Sequence, residues 1–244
     1  MTTKRIESPF VTESCIDALP DPILEILIEK AFRCQTNPHT FRTEAGSCAR
    51  SLARASCVNR RWRDICRSSS SLFFLPTEVT PQPLATLISN ISSCLSTHKR
   101  GTLGRIYIEM KGRREDETQS EAIDHLITSL INCIALHNVY YLNLDASQRG
   151  LSNVLPVGMI DQLLLSCKSI RDLVLIGSAL HIHEQPRKVS RKLKLKKLKL
   201  DHVNINGRAF RSLGSSDLEE LDISSCIGLV SLSLHAPKLV SFTS

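Results

Sequence analysis

Residues 218–229 run LEELDISSCIGL, with Leu218, Leu221, Ile223 and Leu229 apolar, Glu220 and Asp222 acidic between them, and Cys226 just beyond. Alternation over Glu220, Leu221, Asp222 and Ile223 is the period-two pattern of a strand that buries one face and wets the other. The same unit, apolar-x-x-Leu-x-(Leu or Ile), occurs four more times: VYYLNL from Val139, IRDLVL from Ile170, LKKLKL from Leu195 and LVSLSL from Leu229. Successive units start 31, 25, 23 and 11 residues apart. The last step is too short for a helix between strands, so the chain either returns there by a tight connection through Ala236 and Pro237 or leaves the regular pattern.

The middle steps fall within the period of leucine-rich repeats, about 20–29 residues, in which each L-x-L is a short strand. Cys226 stands where that class of repeat takes Asn or Cys to bond the buried backbone turn. The outward side chains of each L-x-L are then the candidate substrate-binding residues: Tyr141, Asn143, Asp172, Val174, Lys197, Lys199, Glu220 and Asp222. The sequence ends at Phe242, Thr243 and Ser244, one strand into another unit and without the polar cap an open solenoid needs, so a short solenoid is expected, with truncation an open alternative.

Upstream the periodicity changes from two to 3.6. In LPDPILEILIEKAF (residues 19–32) Asp21 can cap a helix with Pro22 at its first position, and Ile23, Leu24, Ile26, Leu27 and Ala31 make an apolar face. After a loop at residues 35–46 comes a second amphipathic pattern, with Leu52, Ala55, Val58, Trp62 and Ile65 on one side and arginines on the other. The proline-marked SLFFLPTEVTPQP reads as a connector, residues 83–95 as a helix and residues 105–111 as a short strand. A capping box of Thr118 and Glu121 opens a helix whose buried stripe is Ile123, Leu126, Ile127, Leu130, Ile131 and Ile134.

LPDPILEIL followed by CVNRRWRDI resembles an F-box, the adaptor-binding module of receptors in SCF-type cullin ubiquitin ligases. Leu19 and Pro20 open the motif; Ile23, Leu24, Ile26 and Leu27 form its first helical face; Val58 and Trp62, with Arg60 and Arg61 between, close it. The units downstream look like those of the F-box receptors with leucine-rich repeats common in plants. The resemblance implies an α plus α/β chain: an N-terminal three-helix F-box over residues 15–74, a connector over 75–104 and a leucine-rich-repeat solenoid over 105–244. It implies a non-catalytic substrate-recognition subunit in protein degradation. Its adaptor-binding residues are Leu19, Pro20, Ile23, Leu24, Leu27, Val58 and Trp62, its partners a Skp-type adaptor, cullin through it, and a target protein. A different class of reading is a basic nucleic-acid-binding or scaffold protein, and a third is an adaptor-binding fragment without productive substrate recognition.

Composition narrows the rest. With 42% hydrophobic and 23% charged residues among 244, the chain can bury a core. No apolar run approaches the roughly 18–20 residues that span a bilayer, and the first residues lack a secretory apolar segment, so a cytoplasmic or nuclear protein without a membrane partner is expected. Nine cysteines with no C-x-x-C pair read as reduced thiols. No catalytic motif occurs, no cofactor is implied, and His181 with His183 lacks the further ligands of a metal site. The net charge of +7 is concentrated in residues 187–199 (RKVSRKLKLKKLK), which hold eight basic residues and no acid. Its lysines alternate with leucines, as on the wet face of a strand, and lack interleaved aromatics. That suits an acidic protein target better than nucleic acid.

Overall fold

The computed structural model describes residues 19–32, 60–67, 70–74, 83–99, 101, 103–110, 120–148, 151, 155–156, 158–182, 194–205, 217–228 and 236–243. Nine strands are present among them: β1 (Ser71–Phe74), β2 (Arg105–Glu109), β3 (Tyr141–Asp145), β4 (Asp172–Ile176), β5 (His181–Ile182), β6 (Lys197–Asp201), β7 (Asn204–Ile205), β8 (Glu220–Ser224) and β9 (Ser241–Thr243). Seven form one sheet in the order β1-β2-β3-β4-β6-β8-β9, parallel throughout. Spatial order therefore equals chain order. β5 and β7 make a second, two-stranded parallel ladder, extended by a bridge from Asn204 to Ile227.

The alternation read from the sequence sets the two faces. Register aligns Leu72, Ile106, Leu142, Leu173, Leu198 and Leu221 in one row and Phe74, Ile108, Leu144, Leu175, Leu200 and Ile223 in another. All twelve are buried. Helices α1 (Asp21–Phe32), α2 (Arg60–Arg67), α3 (Leu84–Thr97), α4 (Ser120–Ala135) and α5 (Met159–Ser166) complete the described elements. α3 brings Leu84, Leu87, Ile88, Ile91 and Leu95 to the core that these rows share, α4 the Ile123, Ile127, Leu130, Ile131 and Ile134 stripe, and α5 Met159, Ile160, Leu163 and Leu164. α3 packs on α4, and α4 on α5. The neighbouring helices are also tied by a polar contact. The buried His137, just past α4, bonds through Nε2 to the carbonyl of Leu95 in the last turn of α3 (2.9 Å), a carbonyl that also accepts the N–H of His98 at 3.2 Å.

Beyond β2, β3, β4 and β6 the ladder continues for one more bond. Met110 donates its N–H to the carbonyl of Asp145, Ala146 to Ile176, Gly177 to Asp201 and His202 to Ser224, at 2.7–2.9 Å. The chain then turns. Gly177 does so at φ +119°, where a Cβ would lie 2.3 Å from the carbonyl carbon and oxygen of Ala146. Both the dihedral and the space demand glycine.

The architecture corrects the one expected. In place of an N-terminal three-helix F-box followed by a leucine-rich-repeat solenoid, the described residues form an α/β fold on a seven-stranded parallel sheet, with two helices ahead of it. Ser71–Phe74, read as connector, is the first strand, because Leu72 and Phe74 point into the core in register with β2. The strands of the large sheet start 34, 36, 31, 25, 23 and 21 residues apart. α3, α4 and α5 fill the first three intervals after β1, and short strands stand in the next two. The strand unit recurs while the crossing changes, so a fixed repeat does not describe the chain.

The partner of β8 is β9, at Ser241–Thr243, and not the LVSLSL unit, which lies outside the described residues. The helices expected over residues 83–95 and after Thr118 are present as α3 and α4; Thr118 lies outside the described residues. No helix among the described residues is long and apolar enough to cross a membrane.

Replacing Gly177 with alanine should therefore force the β4 turn away from Ala146. We expect Gly177→Ala to lower stability by about 1–3 kcal/mol, measured by urea unfolding, while a Gly101→Ala control with open space around its Cβ costs less.

Candidate functional site

Among the described residues this packing leaves two surfaces uncovered. The first is on α1. The helix starts at Asp21, with the carbonyl of Pro20 accepting the N–H groups of Ile23 and Leu24 at 3.0 Å, one residue earlier than the expected Asp21 cap. Leu24 turns inward and is 1% exposed, while Ile23, Ile26 and Leu27 remain 45%, 46% and 45% exposed, with Pro20 exposed beside them and Leu19 half-buried. α1 and α2 pack together, with Ile65 and Cys66 of α2 buried. Arg61 of α2 fixes the pair: its Nε donates to Asp21 Oδ1 at 2.5 Å and its other guanidinium nitrogen to the carbonyl of Leu19. Val58 lies outside the described residues, and Trp62 is described only by its place in α2.

The second surface is the side of the sheet opposite the helices. Register sorts its residues into three rows across β2, β3, β4, β6 and β8. Nearest the N-terminal ends of the strands stand Arg105, Tyr141, Asp172, Lys197 and Glu220. The middle row is Tyr107, Asn143, Val174, Lys199 and Asp222. The row at the C-terminal ends is Glu109, Asp145, Ile176, Asp201 and Ser224. All eight residues expected to face a substrate lie on this side, four strands wide, and each is half-buried or exposed.

Aromatic groups collect at the β2–β3 end. The rings of Tyr107 and Tyr141 lie 4.9 Å apart, centroid to centroid, and Arg105 sits over the Tyr140 ring at 5.7 Å and donates from Nε to its hydroxyl at 2.9 Å. Charge collects at the other end. Lys197 meets Glu220 at 2.6 Å and Lys199 meets Asp222 at 2.8 Å, each across one strand pair, and Lys196 meets Glu219 at 2.7 Å just before the strands. The bond to Glu220 raises the Lys197 pKa, and the bond to Lys196 holds Glu219 below the usual carboxylate range. Such exposed pairs add little to stability. They do neutralise Lys196, Lys197 and Lys199, three of the four described lysines of the basic stripe, so the charge argument for an acidic target loses most of its described cations and keeps the exposed Lys194.

Arg61 was named with Arg60 between Val58 and Trp62 but given no contact, and Tyr107 was legible but not singled out. Arg61 was one of several arginines on a polar helix face, and Tyr107 follows from the alternation in RIYIE once that segment is placed beside β3. Asp145, Ile176 and Asp201 fall one position past each L-x-L and extend the face beyond it.

Metal and thiol chemistry find little support here. Among the described residues no group of three His, Cys, Asp or Glu side chains could hold a metal ion; His181 is half-buried in β5 and His183 lies outside those residues. The five described cysteines are free thiols. Burial pushes Cys66 up to about 11 and Cys167 up to about 12, and it also raises Cys94, Cys133 and Cys226. Thiols so shifted are poor nucleophiles near neutrality. Cys226 serves the backbone: its Sγ lies 3.7 Å from the carbonyl of Leu200, a residue of β6.

Asp172 carries a cost. Burial raises its pKa above the ordinary aspartate value, and Lys197, the next largest influence, only partly offsets this. A carboxyl whose folded pKa lies above its unfolded one favours folding in acid and loses that contribution as pH rises through the folded value. Asp172→Asn should therefore melt higher than the parent at pH 7. The difference should vanish well below about pH 3.9, the unperturbed aspartate value, in thermal melts recorded across that range.

We found no family model that matches this chain and no curated protein that matches it.

Proposed function

We propose that the chain is the target-recognition subunit of an SCF-type cullin ubiquitin ligase, with α1 as the contact for a Skp-type adaptor and the open face of the sheet as the contact for a target protein. The observation that carries this reading is the apolar trio Ile23, Ile26 and Leu27, turned outward on a helix whose remaining described leucine, Leu24, already fills the core. These are positions at which the sequence resembles an F-box. Covering three half-exposed aliphatic side chains contributes about 2–4 kcal/mol, enough to form the centre of an interface completed by polar contacts around it.

In this role the protein does no bond chemistry. It holds a target beside the ligase, and the gain in rate comes from proximity. Such a subunit works in the cytoplasm or the nucleus. The nucleic-acid reading is weakened by the pairing of Lys196, Lys197 and Lys199 with acids, which leaves those lysines little charge for phosphates.

The test uses exposed residues, so folding is not at stake. Ile23→Ser combined with Leu27→Ser should reduce co-purification with a Skp-type adaptor at least about tenfold, with the melting temperature unchanged. Undiminished co-purification would overturn the assignment.

A further inference from the structure

We propose that the open face of the sheet binds a basic protein segment, with arginine or lysine stems laid over the Tyr107–Tyr141 pair and their charges directed to the carboxylates at the C-terminal ends of the strands. This names the chemistry of the target in the receptor reading and rests on that reading for the role of the face.

The first support is that, among the described residues, no helix covers the face, and that its side chains are adhesive. Parallel sheets normally carry cover on both sides; here the helices and the buried rows lie on one, while Tyr107, Tyr141, Val174 and Ile176 stand half-buried on the other. Half-buried tyrosines in contact, with Val174 and Ile176 on the same face of β4, are the kind of group on which binding energy concentrates. Tyrosine faces also attract cations.

Charge then selects the occupant. In the three rows across β2, β3, β4, β6 and β8, six carboxylates face three cations, a net of −3 on a chain whose total is +7. The two lysines among those cations are engaged by Glu220 and Asp222. The row at the strand ends holds the carboxylates of Glu109, Asp145 and Asp201. Asp145 Oδ1 accepts the N–H of Ser147 at 2.9 Å, and Asp201 Oδ1 lies 2.7 Å from His202 Nδ1, so both carboxylates are held in place. Asp172, whose ionised form burial penalises, also gains from an arriving cation. A polycation has little reason to settle on the rest of this positively charged chain, so attraction is local to the face.

The experiment measures fluorescence anisotropy of the full chain with two labelled peptides at physiological ionic strength, one alternating arginine with serine and one alternating glutamate with serine. The arginine peptide should bind at least about tenfold tighter than the glutamate peptide. Asp145→Asn with Asp201→Asn should weaken it about tenfold, and Tyr107→Ser, made separately in case the first pair disturbs the strand ends, should weaken it by a similar factor. Equal binding of the two peptides, tighter binding of the glutamate peptide, absence of binding, or indifference to both variants would each overturn the proposal. Adaptor co-purification with the Ile23→Ser, Leu27→Ser chain reads the other surface. Its failure would remove the ligase from the account and leave the arginine-peptide result standing.

Discussion

Two rows of leucine, isoleucine and phenylalanine, one residue per strand and in register from β1 to β8, hold this molecule together. Each buried side chain of this kind contributes about 1.5–3 kcal/mol, and none has a polar atom to satisfy. Helices α3, α4 and α5 lie on these rows and the turns beyond the strands hang from them. Because side chains alternate along a strand, the same register that buries the rows fixes which residues face out. The candidate target face is thus a by-product of the core, set by the positions between the leucines.

That coupling explains the ionic arrangement of β6 and β8. A parallel register placing Leu198 beside Leu221 and Leu200 beside Ile223 also places Lys197 beside Glu220 and Lys199 beside Asp222. The leucines determine the alignment, and the lysines take the partners it delivers. A charge stripe read along the chain can therefore vanish across the sheet, since strands are neighbours in space at about 4.8 Å while their sequences lie more than twenty residues apart.

Much of the fold was legible where alternation was strong. Units starting at Val139, Ile170, Leu195 and Leu218 all became strands, the helix expected over residues 83–95 is α3, and the amphipathic stripe of α4 gave its buried face, with Leu126 only partly buried. The edges of the sheet were harder. Ser71–Phe74 is four residues long and has two adjacent phenylalanines, so no clean alternation marks it, and Ser241–Thr243 shares its neighbourhood with the stronger pattern of LVSLSL. In both cases pairing with a neighbour supplies what local sequence does not. The candidate adaptor face was half legible: helical periodicity marks Ile23, Leu24, Ile26 and Leu27 as apolar alike, and only packing against α2 separates the inward Leu24 from its exposed companions.

Strand order that follows chain order carries a consequence for how such a molecule changes over generations. A closed barrel or an interleaved sheet cannot gain one strand without disturbing its other members. Within the seven-stranded sheet each strand meets only the sheet member before it and the one after, so a duplicated segment can lengthen the sheet at an edge and leave existing neighbours as they were. The width of the open face is then a quantity that inheritance can adjust in single steps, separately from the helix pair at the other end.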